Sequence, residues 1–317
     1  MATIAESDTR NGLSQGPHRR SLPSVLSYGG TDYFSQLSTG VPEYYQSASG
    51  LRIIEHYGAH VADWLLSGSC PTQAFEHGIG RGDKTLALLQ HLQATNASFQ
   101  YVGIDCSRPA LEAFGARVKP NTNGLVRLIH GNANTYIGPK LAEEPGTVIL
   151  VMLGGELGNE ENPAAKLDEY WHMLPPGGKL LVGYHNLDVP ADRLLTSYND
   201  PGGVTAMFIL NALTVLKDTF GGDIDPSKFG YHVRLEPDGR IVMSARSLIA
   251  QRVAVGSTIN QTLDLEVDEL IRISTSWKWR RDDFRHMATQ AGFRQDFCFS
   301  DKENLTYLVG LTKSQAA

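Results

Sequence analysis

From residue 73 onward the sequence alternates short apolar runs with helical stretches, and this rhythm limits the fold more than any other feature of the chain. The runs cover 73–76, 99–105, 126–130, 147–153 and 179–184, with helix candidates at 85–92, 108–118 and 164–174 between them. Strand–helix alternation predicts an α/β fold, a parallel sheet with helices on both faces. The first strand-to-helix joint reads Phe75-Glu76-His77-Gly78-Ile79-Gly80-Arg81-Gly82-Asp83-Lys84-Thr85. Glycines at such a joint let the backbone turn sharply and approach a ligand that a Cβ would repel.

The alternation does not cover the whole chain. Ahead of it, Ile53, Ile54, Tyr57, Val61, Trp64 and Leu65 recur at helical spacing. After Tyr184, helical patterning over 192–218 leads to two strand-like runs, 231–235 and 240–249, around the turn sequence 236–239. A helix at 282–291 ending at Gly292 and a last strand at 307–311 then read as the missing edge of the first sheet. The expected organisation is a flexible tail over 1–20, one domain over 62–188 and 282–317, and an inserted α+β domain over 21–61 and 189–281.

Composition excludes several classes of function. Hydrophobic residues make up 41% and charged residues 20%, which is globular rather than disordered. A net charge of −6 argues against nucleic acid or an anionic membrane as partner. The longest apolar run, 148–153, is far short of the roughly 20 residues a membrane span requires. The acidic start MATIAESDTR lacks the form of a signal peptide. Cys70, Cys106 and Cys298 are odd in number and far apart, so neither a disulfide framework nor a zinc site is expected. The expectation is a cytoplasmic protein without a metal; no oligomeric state is predicted. His56 and His60 lack an evident third ligand, and Asp223 and Asp225 read as turn residues.

The glycine motif alone fits a dinucleotide as well as other cofactors. Two carboxylates shift the reading. Glu76, just before the glycines, would repel a pyrophosphate but suits a cation such as the sulfonium and amino group of S-adenosylmethionine. Asp105 ends the second strand, 25 residues beyond Gly80, where a carboxylate can accept ribose hydroxyls. Asn132 follows the third strand, where an adenine amino group would be read. The turn Leu174-Pro175-Pro176-Gly177-Gly178 before the fifth strand resembles that of class I methyltransferases, and this resemblance implies a Rossmann-like sheet and S-adenosylmethionine as cofactor.

Three further motifs extend the resemblance: Pro42-Glu43-Tyr44-Tyr45, Leu153-Gly154-Gly155-Glu156-Leu157-Gly158-Asn159 and Tyr198-Asn199-Asp200-Pro201-Gly202-Gly203. In order and spacing, the chain resembles the histidine Nα-methyltransferase family of ergothioneine biosynthesis, which also includes fungal enzymes acting on tryptophan or prenylated tryptophan. The resemblance covers roughly residues 25 to 311. It implies a small-molecule amino-acid substrate, with Asn159 and Tyr198 on the α-carboxylate and the Gly154 carbonyl facing the α-amine. Lys84 would meet the cofactor carboxylate, while Gly78, Gly80, Asp105, Asn132 and Gly154 would form the rest of the cofactor site with Glu76. Tyr28, Tyr44 and Met243 would line the substrate pocket; Tyr44 and Gly154 are the candidates to organise proton loss.

One departure bears on specificity. Where histidine-specific members carry a glutamate for the imidazole, this chain has Ser274, while Ser276 on the same strand face is retained. Loss of that charge predicts poorer selection of histidine and room for an indole. The expected reaction is therefore Nα-methylation of free L-tryptophan. The alternatives are histidine, a prenylated tryptophan, and a non-enzymatic partner subunit with a degenerate methyltransferase fold.

Overall fold

The computed structural model describes residues 2–67, 72–95, 99–118, 126–133, 135–137, 147–256 and 258–314, the side chains from residue 6 onward. Cys70 lies outside these residues. The chain divides into two compact units: Met1–Tyr44 with Pro190–Ser276, and Tyr45–Val189 with Trp277–Ala317.

The second unit carries a seven-stranded sheet. Its strands are β1 (Thr72–His77), β2 (Phe99–Asp105), β3 (Val126–His130), β4 (Thr147–Met152), β5 (Lys179–His185), β11 (Phe293–Ser300) and β12 (Thr306–Lys313). Their order is β11-β12-β5-β4-β1-β2-β3. The first five strands pair in parallel, and β12 enters antiparallel between β5 and β11. This is the expected α/β sheet, parallel except at its β12–β11 edge. Val148 to Met152 and Leu180 to Val182 are buried, which is why these strands read as continuous apolar runs instead of alternating ones. Helices α3 (Gln46–Leu66), α4 (Asp83–Ala94), α5 (Arg108–Val118), α6 (Pro163–Met173) and α9 (Arg281–Gln290) complete the unit.

Three differences from the sequence reading appear here. Helix α3 belongs to this unit, so the first boundary falls at Tyr45, not after residue 61. Its Ile53, Ile54, Val61, Ala62 and Leu65 share one buried cluster with Ala74, Leu88 and Ile149. The second return begins at Trp277, not 282. Between α9 and the last strand lies β11, an additional edge strand whose charged residues and register shift between Gln295 and Phe297 masked it.

The first unit contains α1 (Ala2–Leu13), α2 (Tyr33–Gly40), α7 (Ala191–Thr196) and α8 (Val204–Phe220). It also holds the three-stranded sheet β10-β7-β6 and the hairpin β8–β9. These strands are β6 (Phe229–Leu235), β7 (Arg240–Ser247), β8 (Gln251–Val255), β9 (Gln261–Leu265) and β10 (Leu270–Trp277), the last ending one residue past the unit boundary. The expected flexible tail is instead largely helical. Leu13 is buried, Arg10 Nη2 donates to the Thr258 carbonyl at 2.6 Å, and the Gln261 amide donates to the Arg10 carbonyl at 2.9 Å. Those contacts anchor a segment whose polar composition alone suggested none. The predicted 192–218 helix is two helices, because Pro201 and Gly202 break it and Asp200 starts α8 again. The Asp200 carboxylate accepts from the backbone of Val204 and Thr205 at 2.9 and 2.7 Å.

Candidate active site

In the sheet unit, the candidate cofactor residues gather at the carboxyl ends of β1, β2 and β3. The chain runs from β1 outward to β3 on one side and returns to β4 on the other, so the order reverses at β1 and β4, the point where ligands bind in such sheets. Gly78 and Gly80 have φ of +73° and +54°, a left-handed backbone that favours glycine. A Cβ on Gly80 would meet nothing within 4 Å. The Gly80 N–H donates to Asp105 at 2.8 Å, and the Ser107 N–H donates to its other oxygen at 2.7 Å. Burial raises the Asp105 pKa while these bonds oppose the rise. The Cys106 thiol and backbone N–H also donate to this carboxylate, which stands beside the glycine turn. The Gly131 N–H donates to the Asp105 carbonyl at 3.0 Å, which places Asn132 one residue beyond that contact. An open glycine turn backed by a carboxylate fits the nucleoside end of S-adenosylmethionine.

Glu76 is placed differently from its expected role. Its side chain is buried beneath the loop, where Thr85 donates to both oxygens and Tyr101 donates to one at 2.9 Å. Burial pushes its pKa up to about 7 against these bonds. The residue braces the loop from inside, and its oxygens already have partners where a free cation acceptor was expected. His77, unexplained by sequence, packs its Nδ1 3.3 Å from the Tyr170 hydroxyl, and burial lowers its pKa to about 4. It is a neutral ring in the wall below the loop.

Lys84 donates to the Leu153 carbonyl at 2.7 Å. It lines a cavity with Gly50, Leu153, Gly154, His185 and Thr306. Burial lowers its pKa, opposed by Glu156 and Glu76. Gly154 thus borders the same space as Lys84. Asn159 closes the 3-10 turn Glu156–Asn159 and is exposed. The sequence reading overlooked Thr85 and Tyr101; their only signal was that a buried acid before a glycine loop needs donors.

The other unit holds the remaining candidates. Tyr28 packs against Phe34 and Phe208, with centroids 5.5 and 5.0 Å away. Tyr44 meets Phe34 and Tyr198 edge-on, each at 6.3 Å. Five aromatic rings therefore form one continuous patch, of which Phe34 and Phe208 were not anticipated. The Tyr198 hydroxyl lies 3.0 Å from Ser276 Oγ on β10, and Tyr231 donates to the Tyr198 carbonyl at 2.6 Å. Ser274 lies on the same strand, partly exposed, and Met243 is buried on β7 in register with Val233 of β6. The Asn211 amide donates to the Ser27 and Gly29 carbonyls at 3.0 and 2.7 Å, fixing the backbone beside Tyr28.

Lys278 is fully buried, with Nζ 3.3 Å from His185 Nδ1. His56 and His60 pack on aromatic rings, His60 5.1 Å from Phe299. Among the described residues no helix is long and apolar enough to cross a membrane.

A family profile for histidine-specific, S-adenosylmethionine-dependent methyltransferases matches residues 5–313. A histidine N-alpha-methyltransferase of Mycolicibacterium smegmatis is 29% identical over 304 residues, which is 93% of this chain and 90% of that protein. One from Mycobacterium tuberculosis is 31% identical over 86% of this chain and 84% of its own length. The 4-dimethylallyltryptophan N-methyltransferase of Claviceps fusiformis is 23% identical, covering 92% and 87%. With the match running through both units, the chain belongs to the histidine-specific family of S-adenosylmethionine-dependent methyltransferases and is an N-methyltransferase.

Proposed function

We propose that this N-methyltransferase acts on the α-amine of a free amino acid, and that histidine is its substrate. The observation that carries the reading is the near full-length similarity to two proteins named histidine N-alpha-methyltransferase. S-adenosylmethionine supplies a methyl group on a sulfonium, already electrophilic, so the protein's task is positioning and proton removal. Asp105, Gly80 and Asn132 hold the nucleoside end, and Lys84 holds the cofactor carboxylate. Asn159 takes the substrate carboxylate, an amide being a sound donor for it. With Ser274 and Ser276 in place of an acid, the imidazole is held by hydroxyls and bridging water.

A second reading, L-tryptophan or a prenylated derivative, rests on Ser274 and on the aromatic patch of Tyr28, Phe34, Tyr44, Tyr198 and Phe208. An uncharged wall with Met243 suits an indole. The experiment is a competition: equimolar histidine and tryptophan with limiting S-adenosylmethionine, products weighed by mass spectrometry. Methylated histidine in excess supports the first reading, methylated tryptophan the second. Methylation of neither overturns both. The cytoplasm is the proposed location.

A further inference from the structure

Glu156 stands outside every role assigned above. It opens the turn that Asn159 closes and follows the Gly154-Gly155 pair. The residue as a whole keeps some exposure, yet its Oε2 is sealed from solvent and has no hydrogen-bond partner among the described residues. Gly154, two residues before it, and Gly78, in the cofactor loop, make room for this side chain. A Cβ on Gly154 would lie 2.3 Å from Oε1 and 2.7 Å from Oε2, and one on Gly78 would lie 2.8 Å from its Cγ. Glu156 thus reaches across the gap between the cofactor loop and the loop after β4.

Its electrostatic surroundings are unbalanced. Lys84 attracts the carboxylate and the backbone N–H groups of Glu156 and Gly154 favour its charged form, while Asp105 repels it and Glu76 is repelled by it in turn. The one amine among these groups already donates to the Leu153 carbonyl. A buried acceptor without a donor, in excess negative charge, is matched by a ligand that brings a cation with N–H groups.

We propose that Glu156 Oε2 receives the α-ammonium of the amino-acid substrate and takes its proton before methyl transfer. The inference rests on the reading that a free amino acid is held at Gly154 and Asn159. The step balances simply: R–NH3+ and the carboxylate give R–NH2 and the carboxylic acid, whose proton passes to water after the turnover. The freed nitrogen lone pair then forms the N–C bond as the C–S bond breaks. Burial raises the Glu156 pKa, which brings an acid nearer to the amine it must deprotonate.

The test compares wild type with Glu156→Gln on whichever of histidine and tryptophan the wild type methylates. The variant should bind S-adenosylhomocysteine within threefold of wild type by calorimetry. Its kcat at pH 7 should fall at least about a hundredfold, and its rate should climb about tenfold per pH unit until the amine itself ionises. An unchanged pH profile with wild-type kcat would overturn the role of Glu156 alone. So would a tenfold loss of S-adenosylhomocysteine affinity, which would make the residue a cofactor ligand. A profile breaking near the imidazole range, about 6.5, would assign it to the ring and also overturn the proposal. Wild type inert toward both amino acids would remove the substrate reading and this inference together. Should Glu156→Gln fail to fold, Glu156→Asp keeps the charge on a shorter stem. An intermediate kcat with the wild-type pH slope supports the proposal, and a wild-type kcat overturns it.

Discussion

The Thr85 hydroxyl lies 2.9 and 2.7 Å from the two carboxylate oxygens of Glu76, joining the first turn of α4 to the end of β1 beneath the cofactor loop. The first helical turn is thereby fixed to the strand it follows, and the glycine turn between them is held from both ends.

That contact has a pH signature. Glu76 ionises at about 7 in the fold against 4.5 unperturbed, so the folded state holds the proton more tightly. Its stabilising contribution is complete below 4.5 and is lost as pH rises through about 7. Glu76→Gln removes this dependence. Melting temperatures measured from pH 4.5 to 8 should show the variant gaining on wild type as pH rises, a change worth up to about 3 kcal/mol.

Asp105→Asn should weaken S-adenosylhomocysteine binding about tenfold by calorimetry. Asparagine can still accept from the Gly80 N–H, but its amide nitrogen cannot accept from the Ser107 N–H, and the charge that strengthens bonds to ribose hydroxyls is gone.

Asn159→Ala should leave cofactor affinity within threefold and raise KM for the amino acid at least about tenfold. Asn159 is exposed at the end of its turn, so the substitution costs little stability. Equal loss of both affinities would remove Asn159 from the substrate site.

Ser274→Glu restores an acid on β10, two residues before Ser276. The ratio of kcat/KM for histidine over tryptophan should rise at least about tenfold. An unchanged ratio would place the side-chain pocket elsewhere.

The parts of this fold legible in the sequence are those with a single environment. Strands β4 and β5 are buried along nearly their whole length and read as unbroken apolar runs. The hairpin β8–β9 was not legible, because Arg252, Ala254 and Asp264 face solvent while their neighbours are buried, and each strand is only five residues long. Helix α1 was hidden because its anchors lie some 250 residues away in β9 and the turn before it.

The candidate site divides along similar lines. The placement of Asp105 beside the glycine turn was legible because it follows from backbone position at a strand end. The inward turn of Glu76 was not legible, because nothing local says whether a side chain near the end of a strand faces a ligand or the interior. Here Tyr101, from the neighbouring strand, decides it. Glu156 had one signal, an acid inside a glycine-rich turn, whose meaning depended on Gly78 lying opposite.

The sheet unit releases the chain at Val189 and takes it back at Trp277, and there the two strands of traffic are stitched together. The Trp279 N–H donates to the His185 carbonyl at 3.1 Å, and the Leu187 N–H donates to the Trp279 carbonyl at 3.1 Å. Exit and re-entry are thus sewn side by side, independent of what is looped out between them. A change in the length or sequence of the excursion therefore leaves the sheet unit's own closure untouched.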